Sequence, residues 1–349
     1  MKIDIYTCRF GLGHYKAALR IVDQLKSDHQ MELLDLYGEL YPNYVNLIYS
    51  AYKEMIKEQG LFFKLFSKAD ESKENVLDRL EFLKRRFFKY LDQRELPDIF
   101  IATYSVSAYL ISKYLEKRNL QIPLVTCITD FSTHELWVNE KTSLYLVATK
   151  MTKEELVQKG VPKEKILVYG LCEMKKVKKV SKNEDRYHVL ISGGGLGILP
   201  ENLEFYEVLH DFQNIDFKII CGKNKDIYRK IKKYENHHIK IYSFVDNMDE
   251  FMEWADVILT KAGGMSVSEA ILTETPVIYF PPYLTQEIKN ANFISEARIG
   301  RELPSITHLD HILEEGDIAS YKENMKAIKS SFCPHEFPRW IEGEKAMCS

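Results

Sequence analysis

Lys2-Ile3-Asp4-Ile5-Tyr6-Thr7, then Gly11-Leu12-Gly13-His14, then apolar Ala17, Ala18, Ile21, Val22 and Leu25 form the stretch on which the fold turns. The first six residues read as a short buried strand, the glycines as a turn, and the following apolar residues recur at helical spacing. This is a β-loop-α opening. Strand-like runs return at residues 31–36, 99–102, 124–128 and 144–148, with helix-length amphipathic stretches between them. Strands that alternate with helices predict an α/β fold, a mainly parallel sheet covered by helices on both faces.

The same logic begins again further along. After a strand-like run at 166–169, Lys175, Lys176, Lys178, Lys179 and Lys182 have few apolar anchors and read as a linker. His188-Val189-Leu190-Ile191 then runs into Ser192-Gly193-Gly194-Gly195-Leu196-Gly197, and residues 217–221, 239–244, 257–260 and 277–280 read as further strands. Two doubly wound, Rossmann-like halves facing a central cleft are therefore expected. The division is 1–168 for the first half, 169–182 for the linker and 183–318 for the second half. A helical segment, 319–349, is expected to pack back toward the first half.

Composition narrows the class. The chain has 349 residues, enough for two cores, and 45% hydrophobic against 28% charged residues is globular rather than disordered. Lys+Arg 48 against Asp+Glu 51 leaves a formal charge of -3, too balanced for a surface-wide grip on nucleic acid. Six scattered cysteines without a C-x-x-C pair suggest reduced thiols in a cytoplasmic protein. Asp4 and Arg9 interrupt the place of a cleavable signal, and the uncharged run 99–112 is too short to span a bilayer.

In open α/β sheets ligands sit beyond the carboxyl ends of strands, so the glycine loops there are the candidate site. His14 opens the first helix, and histidine is the usual general base at neutral pH; a capping or surface histidine is the bland alternative. The Gly193–Gly195 loop lacks the Lys-Ser/Thr of a Walker loop, yet its glycines suit close backbone approach to an anion. Gly263, Gly264 and Met265 precede a second helical pattern, whose free N–H groups and dipole suit a diphosphate. Glu269, about one and a half turns in, could reach ribose hydroxyls or merely complement the dipole. Gln286, Glu287 and Asn290 carry sugar-type hydrogen-bonding groups, or form a plain polar face.

Six segments in this order resemble the GT-B glycosyltransferases of the MurG and monogalactosyldiacylglycerol synthase family, and especially its processive diacylglycerol glucosyltransferases. They are Gly11-x-Gly13-His14-x-x-Ala17-Ala18, Thr129-Asp130-Phe131-x-x-His134-x-x-Trp137, Gly193-Gly194-Gly195-x-Gly197, Phe244-Val245-Asp246-Asn247-Met248, Lys261-Ala262-Gly263-Gly264-x-x-x-x-Glu269-Ala270 and Gln286-Glu287-x-x-Asn290-Ala291. The resemblance implies an inverting enzyme that moves a hexose from UDP-glucose or UDP-galactose to diacylglycerol. It implies His14 as base and Val245 and Met248 around uracil; Asp130, near His14 in motif order, would orient His14 or the acceptor, or else be a strand-end carboxylate with a structural hydrogen bond. It further implies Gly13, Gly193, Gly194, Gly195, Gly263, Gly264 and Met265 around the diphosphate, Glu269 on ribose, and Gln286, Glu287 and Asn290 on the hexose. No essential metal or other cofactor is implied. Another lipid-linked or small acceptor, or a non-catalytic donor-binding subunit, are the alternatives.

Between Tyr41 and Arg94 lie eleven aromatics, and residues 79–94 add six basic residues against two acids. Phe62, Phe63, Phe66, Arg85, Arg86, Phe87 and Phe88 are accordingly expected at an anionic membrane surface, as a peripheral contact on the inner face of the cell membrane. A domain core rimmed by solvated cations is the alternative.

Overall fold

A computed structural model of the chain describes residues 1–10, 13–25, 29–57, 73–171, 182–183, 185–282, 284–315 and 317–344. Twelve strands among them form two six-stranded sheets in which every pairing is parallel. In the first half β1 (Lys2–Thr7), β2 (Gln30–Asp35), β3 (Ile99–Ala102), β4 (Leu124–Cys127), β5 (Thr142–Val147) and β6 (Ile166–Val168) take the order β2-β1-β3-β4-β5-β6. In the second half β7 (Tyr187–Ser192), β8 (Ile215–Ile220), β9 (Ile239–Tyr242), β10 (Val257–Thr260), β11 (Val277–Tyr279) and β12 (Gly300–Glu302) take the order β12-β11-β10-β7-β8-β9.

Side-chain alternation builds the layers. Ile3, Ile5, Ile99 and Ile101 enter one apolar cluster, while Tyr6, Phe100 and Ala102 on the same strands enter another with Leu83, Phe87 and Phe88. In the second sheet Leu190 and Ile258 join the first of these clusters, whereas Val189, Ile191, Val257 and Leu259 join a third. One apolar cluster therefore carries residues of both sheets. The two parallel sheets with their helices are the doubly wound halves expected from the sequence.

Three details differ from the expectation. β12 was not foreseen, because Gly-Arg-Glu shows neither alternation nor an apolar run, yet it completes the edge beside β11. Tyr169 and Leu171 are buried in the core, so the first residues of the expected linker are packed instead; residues 172–181 lie outside the described residues. Cys8, Cys127 and Cys221 are free and buried, but Cys333 is disulfide-bonded, against the expectation of reduced thiols throughout.

Beyond the second sheet, the Asp317–Lys329 helix is tied to that half by Lys329 and Glu274 at 2.8 Å. The chain then crosses to the first half. Cys333 N–H donates to the Val168 carbonyl at 2.8 Å, Gln24 Nε2 donates to the Pro334 carbonyl at 2.8 Å, and the Phe337 ring meets Tyr169 edge-on at 5.6 Å.

Candidate active site

Strand order dictates where a ligand can sit. In the first sheet the chain leaves β1 toward β2 and returns on the other side at β3, so the switch point lies at the carboxyl ends of β1 and β3. In the second it lies between β7 and β10 for the same reason. His14 follows β1, Thr103 follows β3, the Gly193–Gly195 loop follows β7, and Gly263-Gly264 follows β10. One cleft with a cavity volume of about 290 Å³ is lined from both sides by Gly13 and His14 and by Gly193, Gly194, Gly195, Gly263, Gly264 and Met265.

The histidine is held by backbone. Its Nδ1 lies 2.8 Å from the Thr103 carbonyl and 2.8 Å from the Thr129 hydroxyl, while Thr103 Oγ1 donates back to the His14 carbonyl at 3.0 Å. A carbonyl can only accept, so Nδ1 carries the proton and Nε2 keeps the lone pair. Burial of the ring pushes its pKa from 6.5 down to about 4, which keeps it neutral at pH 7. A neutral imidazole with a free Nε2 is the form a general base requires. The orienting groups are thus Thr103 and Thr129, whereas Asp130 accepts a hydrogen bond from Gln286 Nε2. Burial lifts the Asp130 carboxyl to about 6, with the Gln286 hydrogen bond opposing the rise.

The opposite wall is mostly backbone. Gly194 has φ of +65°, the left-handed region that glycine enters without strain, and its N–H is held by the Ser192 hydroxyl at 3.2 Å. The Gly264–Thr273 helix begins where a Cβ on Gly264 would stand 2.5 Å from the Thr129 carbonyl oxygen, so glycine there permits the two halves to meet. Lys261 opens one of the motifs quoted above but was given no role there. Its Cε lies 3.9 Å and 3.7 Å from where Cβ atoms on Gly194 and Gly263 would be, and its Nζ is 3.0 Å from Glu287. Val245, Met248, Glu269, Gln286 and Glu287 also line this cleft, the last with its carboxylate committed to Lys261.

Asn290 lines the same cleft and also ties its two walls together. It is 1% exposed; its Oδ1 accepts the Phe131 N–H at 3.3 Å and its Nδ2 donates to the Ala262 carbonyl at 3.0 Å. The amide thus joins the two halves, and Phe131 stacks on Phe293 beside it at 4.2 Å.

On the outer face the correction is larger. Phe87 and Phe88 are buried in the first half's core, because residues 83, 87, 88 and 91 form the inward face of the Lys73–Leu91 helix. Arg85 and Arg86 are exposed, with Arg86 Nε donating to the Leu40 carbonyl at 2.6 Å and its guanidinium over the Tyr41 ring. Exposed Phe82 shares their face of the helix at 64% exposure. Phe62, Phe63 and Phe66, like Gly11 and Leu12, lie outside the described residues.

Sequence reasoning also missed an aromatic wall beside the histidine. Phe10 contacts Tyr37, Tyr49 and Tyr52 with centroids 4.6–5.1 Å apart, and Tyr104 lies 5.2 Å from the His14 ring. Phe10 and Tyr52 line the cleft.

Comparison with known proteins agrees with this layout. Residues 14–172 match the monogalactosyldiacylglycerol (MGDG) synthase family, and residues 188–334 match the glycosyltransferase family 28 C-terminal domain. A processive diacylglycerol beta-glucosyltransferase of Bacillus pumilus (strain SAFR-032) is 28% identical over 359 aligned positions, covering 94% of this chain and 91% of that protein. Among solved structures, the glycotransferase of kitacinnamycin superposes with a TM-score of 0.68 at 12% identity, covering 99% of both chains. MurG of Acinetobacter baumannii superposes with a TM-score of 0.63 at 14% identity, covering 99% of this chain and 100% of the other. With both halves matched and the fold shared, the chain is a glycosyltransferase of GT-B fold, its residues 14–172 matching the monogalactosyldiacylglycerol synthase family and its residues 188–334 the glycosyltransferase family 28 C-terminal domain.

Proposed function

We propose that this glycosyltransferase moves a hexose, glucose or galactose, from its UDP-sugar to diacylglycerol with inversion at the anomeric carbon. The observation that carries the reading is the opposition across one cleft of a neutral His14 and a glycine-lined helix start. Relatives named processive diacylglycerol beta-glucosyltransferase, similar over nearly the whole chain, support the acceptor class.

In this reading uracil packs near Val245 and Met248, ribose hydroxyls reach Glu269, and the diphosphate lies against Gly193–Gly195 and the start of the Gly264–Thr273 helix. Gln286 and Glu287 meet the hexose. His14 Nε2 takes the proton of the acceptor hydroxyl as that oxygen bonds to the anomeric carbon. The bond from that carbon to the β-phosphate oxygen breaks, and UDP leaves with its electron pair. Backbone N–H groups, the helix dipole and Lys261 meet the charge that develops on the leaving group, so no essential metal is invoked.

Membrane contact is part of the same proposal, now resting on the exposed Phe82, Arg85, Arg86 and Lys89 in place of Phe87 and Phe88. Among the described residues no helix is long and apolar enough to cross a membrane, which suits a peripheral enzyme on the cytoplasmic face. The deciding assay measures UDP release and lipid product from UDP-glucose and from UDP-galactose, with and without diacylglycerol. Diacylglycerol-dependent release with a hexosyl lipid product is expected. Release unaffected by diacylglycerol, with no lipid product, would remove that acceptor. Co-sedimentation with anionic but not neutral vesicles is expected as well, and equal, negligible pelleting with both counts against the membrane contact.

A further inference from the structure

Two ion pairs line the donor cleft. Lys261 with Glu287 lies within the second half. Lys16 with Glu269, at 2.8 Å, joins the first turn of the Gly13–Leu25 helix to the Gly264–Thr273 helix and so bridges the halves. The helix starts also touch, since a Cβ on Gly13 would stand 3.3 Å from Met265 Cγ. Both positive helix ends therefore converge on the cavity where the donor reading puts a diphosphate. Lys16 stands one turn from that junction, with a compact ammonium on a flexible four-carbon stem.

Stability does not account for this lysine. Its side chain is 42% exposed against 17% for Glu269, and so exposed a pair contributes little to folding. A cation placed beside the cavity, on a carboxylate whose second oxygen is available to ribose, has a clearer use in binding.

We infer that Lys16 is a donor-binding residue supplied by the first half, contacting the phosphate oxygens of the bound nucleoside diphosphate while ribose shares Glu269. The inference rests on the donor reading above. Glu269 holds the ammonium near its working position, which lowers the ordering cost when donor arrives. Because lysine and carboxylate belong to different halves, the contact requires a closed cleft, and donor occupancy and closure reinforce one another.

Calorimetric titration of UDP, and ligand-observed NMR titration of uridine, on wild type, K16M and K16R tests this. K16M weakens UDP about tenfold and leaves uridine unchanged, K16R recovers most of the loss, and added salt narrows the gap between wild type and K16M. Equal weakening of UDP and uridine overturns the inference, because Lys16 would then act only by holding Glu269 for ribose. UDP binding in K16M equal to wild type overturns it too and leaves the donor reading standing. A wild-type chain that binds no UDP overturns the donor reading, and this inference with it.

Discussion

The two halves offer a ligand different kinds of matter. At the first switch point it is a side chain: His14 projects from a helix start with its tautomer fixed by the Thr103 carbonyl and its ring beside Thr129. At the second it is backbone, Gly193–Gly195 and Gly263-Gly264, beside the ion pairs of Lys261 with Glu287 and Glu269 with Lys16. The difference fits two tasks. A proton acceptor must be one atom of defined pKa, whereas a diphosphate carries several oxygens and is met best by several N–H groups that glycine leaves uncovered.

That contrast breaks most readily at the histidine. His14→Ala is expected to lower turnover about 10²–10⁴-fold, the range of a lost general base, while UDP affinity measured by calorimetry stays near its wild-type value. A variant that turns over at the wild-type rate would move the base elsewhere. The mirror experiment is Gly264→Ala, whose new methyl meets the Thr129 carbonyl oxygen at 2.5 Å. Forcing the halves apart there costs about 1–3 kcal/mol of stability and weakens donor binding along with turnover. Thermal unfolding and the KM for the sugar nucleotide read both effects. A Gly264→Ala enzyme altered in kcat alone would mean that the two walls are not divided as described.

The walls also differ in how far sequence discloses them. Backbone chemistry was legible because glycine clusters after a strand are local signals, and both loops stand where the alternation of strands and helices puts them. Charge partners were not. Lys16 and Glu269 are 253 positions apart, and neither residue carries a local mark of the other. Asn290 reads as a sugar contact in a polar helix face, and nothing local shows that its amide also meets Phe131 and Ala262. Phe87 and Phe88 show the limit of composition. Cations interleave both faces of the Lys73–Leu91 helix in sequence, and the packing of Tyr6 and Phe100 against one face decides which aromatics reach solvent. β12 was invisible because a three-residue edge strand needs no apolar pattern when its partner supplies the register.

The smallest expected effect separates two neighbouring groups of the cleft by the sign of their titration. His14 has a folded pKa of about 4 against an ordinary 6.5, so between those values the unfolded chain binds a proton that the native one refuses. Its contribution to stability therefore falls as pH drops through that window. Asp130 is the reverse. Its folded pKa of about 6 lies above the ordinary 3.8, so the native chain holds the proton that the unfolded one releases, and stability falls as pH rises from 3.8 to about 6. In the wild type the two slopes oppose each other between about pH 4 and 6. Removing one exposes the other: relative to wild type, His14→Ala should tilt stability downward with rising pH across this window, and Asp130→Asn should tilt it upward. Urea midpoints at pH 4.5, 5.0 and 5.5 report the tilt if the m-value stays constant. Tilts of the same sign in both variants would contradict the opposed burial of base and acid, and the His14 ring would then be wetter than its contacts with Thr103 and Thr129 imply.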